Sequence, residues 1–237
     1  MKKVALITGS SGGLGTALAQ GLAKAGYSLA LFYLQNEPSP TLLTDQSISL
    51  HKVDLRDEDQ IQKGINDAIQ QHGKIDVLIN NAGVNYNAIS WKIDLQRWND
   101  TLAVNLTAPL LCSKYVIPIM KQNQFGRIIN ISSIVASTGV AGASAYAASK
   151  SGLWGLTKSL ALETAKTNIT VNQISPGYFN TGMISELNSE QTNEIINKIP
   201  KKILGDPLNI INCLLYLLQE QSNYITGQNI HINGGLY

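Results

Sequence analysis

A chain of 237 residues has the length of a single α/β domain, and an apolar content of 44% can fill a large core. Its 18 Lys and Arg against 16 Asp and Glu give a net charge of +2, spread along the chain rather than gathered. Without a basic stripe to track a phosphate backbone, no nucleic-acid partner is expected.

The start, Met1-Lys2-Lys3 followed by Val4-Ala5-Leu6-Ile7, imitates the charged beginning of a signal peptide, but the apolar run stops at Thr8-Gly9. It predicts a first strand, Lys3–Thr8. Further strands are predicted over Ser28–Tyr33, Ile48–Val53, Asp76–Ile79, Arg127–Ser132, Thr170–Ile174 and Asn229–Ile232. Between them, helical periodicity covers Leu14–Ala25, Asp57–His72, Asp94–Gln122 with a break near Asn105, Ala145–Lys166 and Pro207–Leu218. This alternation implies an α/β fold, a doubly wound seven-stranded parallel sheet with helices on both faces, formed by residues 1–237 as a single domain. The second crossover is short. Only fourteen residues separate Tyr33 from Ile48, and Pro38 and Pro40 are among them, so room remains for about two helical turns. No run reaches 18 uninterrupted apolar residues, so no membrane span is expected. Cys112 and Cys213 lie in apolar helical stretches with no metal-ligand spacing, and no metal site is expected.

Two constellations carry chemistry. The first is Thr8-Gly9-Ser10-Ser11-Gly12-Gly13-Leu14-Gly15 between a strand and a helix, a context in which small residues let the backbone approach a pyrophosphate and a helix N-terminus favours its charge. The plainer reading is a strand-to-helix turn. The second is Tyr146 and Lys150, four apart and so on one face of a helix, where an ammonium acts on a phenol. With 9 tyrosines in the chain such a spacing also arises by chance, and Tyr146 can equally pack among Ala143, Ala145, Ala147 and Ala148. Likewise, Ser133 reads either as a functional hydroxyl or as a strand-end polar residue, Asn105 as a helix-break cap, and Asp54-Leu55-Arg56-Asp57 as a helix N-cap.

Taken together, the Thr-Gly-x-x-x-Gly-x-Gly spacing, Asn80-Asn81-Ala82-Gly83, Ser133, Tyr146-x-x-x-Lys150 and Pro176-Gly177 resemble the short-chain dehydrogenase/reductase family over essentially the whole chain. The resemblance implies a Rossmann fold and a nicotinamide cofactor. Gly9, Ser11, Gly12, Gly13 and Leu14 would then surround the pyrophosphate and adjoining ribose, Asp54 and Leu55 would meet the adenine, and Asn81, Ala82 and Gly83 would wall the adenosine ribose. Pro176, Gly177 and Thr181 would hold the carboxamide. Tyr146 becomes the proton donor and Lys150 binds the nicotinamide ribose while lowering the tyrosine pKa. Ser133 orients the carbonyl, and Asn105 holds a water of a proton relay.

Cofactor choice falls at the end of the second strand, where an acid would bind a ribose 2′-hydroxyl and repel a 2′-phosphate. Phe32-Tyr33-Leu34-Gln35-Asn36 has no acid, which favours NADPH; it has no base either, leaving Ser10, Ser11, Gln35 or Asn36 to serve the phosphate.

Three stretches, Tyr146 to Leu160, Ile199-Pro200 with Leu204-Gly205, and Tyr224 to Gly235, are similar to bacterial 3-oxoacyl reductases. That similarity implies reduction of a 3-oxoacyl thioester in fatty acid biosynthesis, a cytoplasmic homotetramer built on the catalytic helix and last strand, and a substrate-covering segment at residues 183–203. Relatives serving acyl carrier protein present arginines where this chain has Gln124 and Thr167, leaving Lys121, Arg127 and Lys166 as substitutes. A coenzyme A thioester or another ketone therefore stays open. So do an NAD-dependent dehydrogenase of a different secondary alcohol and a non-catalytic nucleotide-binding protein.

Overall fold

The computed structural model describes residues 2–38, 47–184 and 188–237. Its strands are β1 (Val4–Thr8), β2 (Ser28–Tyr33), β3 (Ile48–Lys52), β4 (Val77–Asn80), β5 (Gly126–Ile131), β6 (Ile169–Pro176) and β7 (Asn229–Ile232). They form one parallel sheet in the order β3-β2-β1-β4-β5-β6-β7. The seven predicted strands are all present, with ends shifted by at most two residues.

The sheet is covered on both faces, which is why its central strands read as continuous apolar runs rather than alternating ones. Ala5 and Ile7 of β1 face one core, packed by α1 (Gly13–Lys24) and α8 (Pro207–Leu217). Leu6, one residue out of phase, faces the other core. There it meets α2 (Glu58–His72), α4 (Ala108–Gln122) and α6 (Ser144–Thr164). Asp57 caps α2 by accepting from the N–H groups of Asp59 and Gln60, so the N-cap reading belongs to Asp57 and Asp54 is left for other contacts.

Asp94 caps α3 (Leu95–Leu102), which continues through a π-turn at Ala103–Thr107 into α4. The predicted break near Asn105 is that wide turn, not an interruption. The combined helix Leu95–Gln122 is long and apolar enough to cross a membrane by length and composition, which the search for uninterrupted apolar runs missed. In the fold, however, its Ala108, Cys112, Val116 and Met120 are buried in the second core. Two further helices, α5 (Val135–Thr138) and α7 (Ser189–Lys198), lay outside the periodicity reading. No helix is described between β2 and β3; residues 39–46 of that crossover, Pro40 included, lie outside the described residues, as do 185–187 of the predicted covering segment.

At the β3 edge, the Ser49 hydroxyl lies 2.8 Å from His51 Nε2 and 2.7 Å from His72 Nε2. Burial lowers the pKa of both imidazoles; at His51, Asp67 opposes that shift while His72 and Lys63 reinforce it. The unfolded chain therefore takes up protons that the folded one resists. This stability contribution is full above the ordinary histidine pKa of about 6.5 and declines as pH falls below it. Thermal melts between pH 7 and 5 should show a falling Tm, and the double substitution His51→Gln with His72→Gln should flatten that slope. An unchanged slope would contradict the assignment.

Candidate active site

Strand order reverses direction between β1 and β4, and the crevice that such a switch opens at the carboxyl ends of the strands is occupied here by a cleft of about 980 Å³. Its floor begins at the glycine segment. Gly9 turns the chain at φ +64°, and a Cβ there would come within 2.7 Å of the Ala82 Cα. A Cβ on Gly13 would collide with the Thr181 hydroxyl, and one on Gly15 with the Gly9 carbonyl. Gly12 carries no such constraint: it is the extended N-cap of α1, with its nearest neighbour 3.7 Å from a built Cβ. Side-chain-free backbone at the head of α1 is the arrangement that admits a pyrophosphate.

Polar bonds staple this loop to β4. Asn81 donates through Nδ2 to the carbonyls of Thr8 and Gly9, both at 3.0 Å, and the Thr8 hydroxyl accepts from the N–H groups of Asn81 and Ala82, both at 3.1 Å. The Asn81 amide N–H groups are thus spent on holding the loop. Ser10, by contrast, is fully buried with its hydroxyl donating to the Phe32 carbonyl at 3.0 Å, so it is not free to meet a phosphate.

At the far end the cleft is lined by Tyr33, Gln35, Asn36, Asp54, Leu55, Arg56 and Asp100. Arg56 grips the Asp54 carboxylate through Nε at 2.9 Å and Nη2 at 2.6 Å. That bond holds Asp54 below the usual carboxylate range and keeps Arg56 protonated. Glu37, just beyond the segment scanned for an acid, folds back to accept from the Tyr33 hydroxyl at 3.1 Å and is not among the lining residues.

The opposite end gathers Ser133, Tyr146 and Lys150. Ser133 follows β5, where its hydroxyl accepts from the Val135 N–H at 3.2 Å and lies beside the Tyr146 phenol, whose pKa it lowers. Tyr146 lies in the first turn of α6, at the positive end of the helix dipole. Lys150 is one turn further, 3% exposed, with Nζ donating to the Ile131 carbonyl at 2.8 Å. The Ser132 hydroxyl donates to the Lys150 carbonyl at 2.9 Å and ties this turn to β5. Burial pushes the Lys150 ammonium down to about 8 and raises the Tyr146 phenol, with Ser133 only partly offsetting the latter. In the free protein desolvation therefore dominates at the phenol, although Lys150 Nζ lies 5.8 Å from the Tyr146 ring centroid.

Asn105 does not line the cleft. It is fully buried behind it, accepting from the Val84 N–H at 2.8 Å and donating to the Val84 carbonyl at 2.9 Å and the Ser149 hydroxyl at 3.0 Å. Its amide is committed to tying the loop after β4 to α6, beside Lys150. Gly83 closes the arrangement: a Cβ there would sit 3.4 Å from Lys150 Nζ and 3.5 Å from Asn105 Oδ1.

Apart from Asn105 and Ser10, the structure brings the cofactor and catalytic residues proposed from the sequence to one cleft: Gly9, Ser11, Gly12, Gly13, Leu14, Asp54, Leu55, Asn81, Ala82, Gly83, Ser133, Tyr146, Lys150, Pro176, Gly177 and Thr181. Sequence reasoning missed Gly15, although it stands in the quoted glycine spacing, and Thr8. It also missed Arg56, Tyr86 and Val140, which reach the cleft from separate elements and carry no local signal, while Ile184 and Ile195 come from the predicted covering segment.

The family profile described as short chain dehydrogenase matches residues 3–192. A protein of Staphylococcus aureus (strain N315) named 3-oxoacyl-[acyl-carrier-protein] reductase FabG is 35% identical over 244 residues, covering 100% of this chain and 99% of its own length. Proteins of the same name from Buchnera aphidicola subsp. Baizongia pistaciae and Rickettsia bellii are 38% and 37% identical. These cover 100% and 99% of this chain, and 98% and 96% of their own lengths.

Replacing Asn105 by Ala strips the partners from two Val84 backbone groups, each costing about 1–3 kcal/mol when left buried and unpaired. Asn105→Ala should lower the unfolding free energy in denaturant titration by at least that much, whereas Tyr146→Phe should leave it nearly unchanged. Equal stability of Asn105→Ala and wild type would contradict the fastening.

Proposed function

The chain belongs to the short chain dehydrogenase family, and we propose that it is an NADPH-dependent reductase of 3-oxoacyl thioesters, yielding the 3-hydroxyacyl thioester. The observation that carries this reading is Tyr146 in the first turn of α6, with Ser133 beside its phenol on the cleft wall and Lys150 buried one turn further along. Full-length similarity to proteins named 3-oxoacyl-[acyl-carrier-protein] reductase supplies the substrate class.

The side-chain-free segment at Gly9, Gly13 and Gly15 and the opening over Gly83 fit a dinucleotide lying across the cleft, with Ser11, Gly12 and Leu14 at its pyrophosphate. Asp54 and Leu55 would hold the adenine, Asn81, Ala82 and Gly83 the adenosine ribose, and Pro176, Gly177 and Thr181 the nicotinamide end. Bound there, the nicotinamide supplies a hydride to the carbonyl carbon. Ser133 donates a hydrogen bond to the carbonyl oxygen, and Tyr146 gives that oxygen a proton as negative charge develops on it. A phenol raised by burial stays protonated at neutral pH, the state a proton donor requires. Lys150, cationic below about pH 8, stabilises the phenolate left behind. Asn105 holds the turn that carries Lys150.

Val140, Ile184 and Ile195 give the substrate end of the cleft an apolar wall, suited to an acyl chain. The described part of the predicted covering segment 183–203 includes α7, which supplies Ile195 to the cleft. One expectation about a protein carrier is revised. Arg127 is fully buried, its guanidinium donating to the carbonyls of Gly126, Asn168 and Gln219, so it cannot meet an acidic surface. Only the exposed Lys121 and Lys166 remain near Gln124 and Thr167 for that contact. A homotetramer built on α6 and β7 accords with the exposure of Leu162 on α6, 79%, and of Tyr224 before β7, 98%.

Purified protein supplied with acetoacetyl-coenzyme A should consume NADPH in preference to NADH, followed by nicotinamide absorbance. Tyr146→Phe should reduce turnover at least ~10²-fold, the lower range for general acid catalysis, and leave cofactor affinity intact. Undiminished turnover would overturn the assigned donor. Failure of every 3-oxoacyl thioester, with a different secondary alcohol oxidised instead, would overturn the substrate class.

A further inference from the structure

The adenosine end of the cleft presents a charge problem. A 2′-phosphate carries negative charge, yet Ser10 is buried and committed, and the donors left at this end are neutral: the Ser11 hydroxyl and the Gln35 and Asn36 amides. Among the described residues lining the cleft, the cations are Lys150 at the opposite end and Arg56. Arg56 uses Nε and Nη2 on Asp54, while Nη1 faces Asp100 at 3.8 Å, beyond hydrogen-bond range. The Nη1 N–H groups make no hydrogen bond among the described residues, and the side chain is 45% exposed. A planar guanidinium with a free edge, pre-oriented by a bidentate carboxylate, is well suited to an oxyanion.

We propose that Arg56 is the residue that selects NADPH over NADH, its Nη1 edge taking the 2′-phosphate while Asp54 fixes the other edge. The proposal rests on the NADPH reading above. It gives Asp100 an opposing effect: its carboxylate faces the same edge and competes with the phosphate, so Asp54, Arg56 and Asp100 together leave one uncompensated negative charge. Lys52, paired in register with Tyr33 at the end of β3, is the other nearby cation, but it does not line the cleft.

The test is calorimetric binding of two fragments, 2′,5′-ADP and 5′-ADP, to wild type and to Arg56→Gln, Lys52→Gln and Asp100→Asn, with thermal melts to verify folding. Wild type should bind 2′,5′-ADP more tightly. Arg56→Gln should lose about 10- to 100-fold for 2′,5′-ADP, the range for one charged hydrogen-bonding partner, and change little for 5′-ADP. Asp100→Asn should tighten 2′,5′-ADP roughly two- to fivefold. Retained discrimination in Arg56→Gln overturns the proposal, and its loss in Lys52→Gln instead moves the role there. Equal weakening of both fragments also overturns it, because Arg56 would then act on adenine through Asp54. A wild type that does not prefer 2′,5′-ADP removes the NADPH reading itself.

Discussion

An ammonium buried against a main-chain carbonyl is costly to hold, and the geometry at this end of the cleft follows from how Lys150 is accommodated. A charge taken out of water loses solvation that one hydrogen bond to Ile131 does not replace, so its pKa drops toward neutrality. Holding it there needs rigid neighbours. Ser132 fixes the Lys150 backbone to β5, Asn105 pins Ser149 and Val84, and Gly83 leaves the space its side chain enters. The π-turn at Ala103–Thr107 is where Asn105 enters this network, an extra residue per turn of the kind often found where helices serve a site.

The same economy governs the glycine segment. Three of its glycines are there because a neighbour occupies the place of a Cβ: Ala82 at Gly9, Thr181 at Gly13 and the Gly9 carbonyl at Gly15. Thr8 and Asn81 then lock that compact turn to β4, so the strand-to-helix joint and the wall after β4 move as one unit. The two ends of the cleft are joined through β4 and β5, whose Asn80 and Asn130 side chains bond directly at 2.8 Å.

Much of this was legible from residues alone. Apolar runs in βαβ rhythm specify a buried parallel sheet, because only strands covered on both faces read that way. The glycine spacing, Ser133 and the Tyr146–Lys150 pair are local patterns, and a pattern fixed by helical or strand period survives translation into space. What was not legible depends on which side chains turn toward each other. The withdrawal of Arg127 and Ser10 into the interior, and the hydrogen bond that Lys150 gives the Ile131 carbonyl, are set by contacts distant in sequence. Arg56 looked like part of a helix cap; its place on the cleft wall emerges only once Asp57 is seen to do the capping. Glu37 escaped notice because it stands one residue past the segment scanned.

Burial moves the lysine and the tyrosine in opposite senses before any substrate arrives, leaving a protonated phenol beside a cation poised near neutrality. The most direct test of this is an NMR titration of protein carrying isotope-labelled lysine, with the Lys150 resonance identified by its absence from Lys150→Arg. The account predicts a midpoint of about 8. A midpoint near the ordinary lysine value of about 10.4 would contradict it, because the ammonium would then be solvated and the tyrosine no longer flanked by a buried charge.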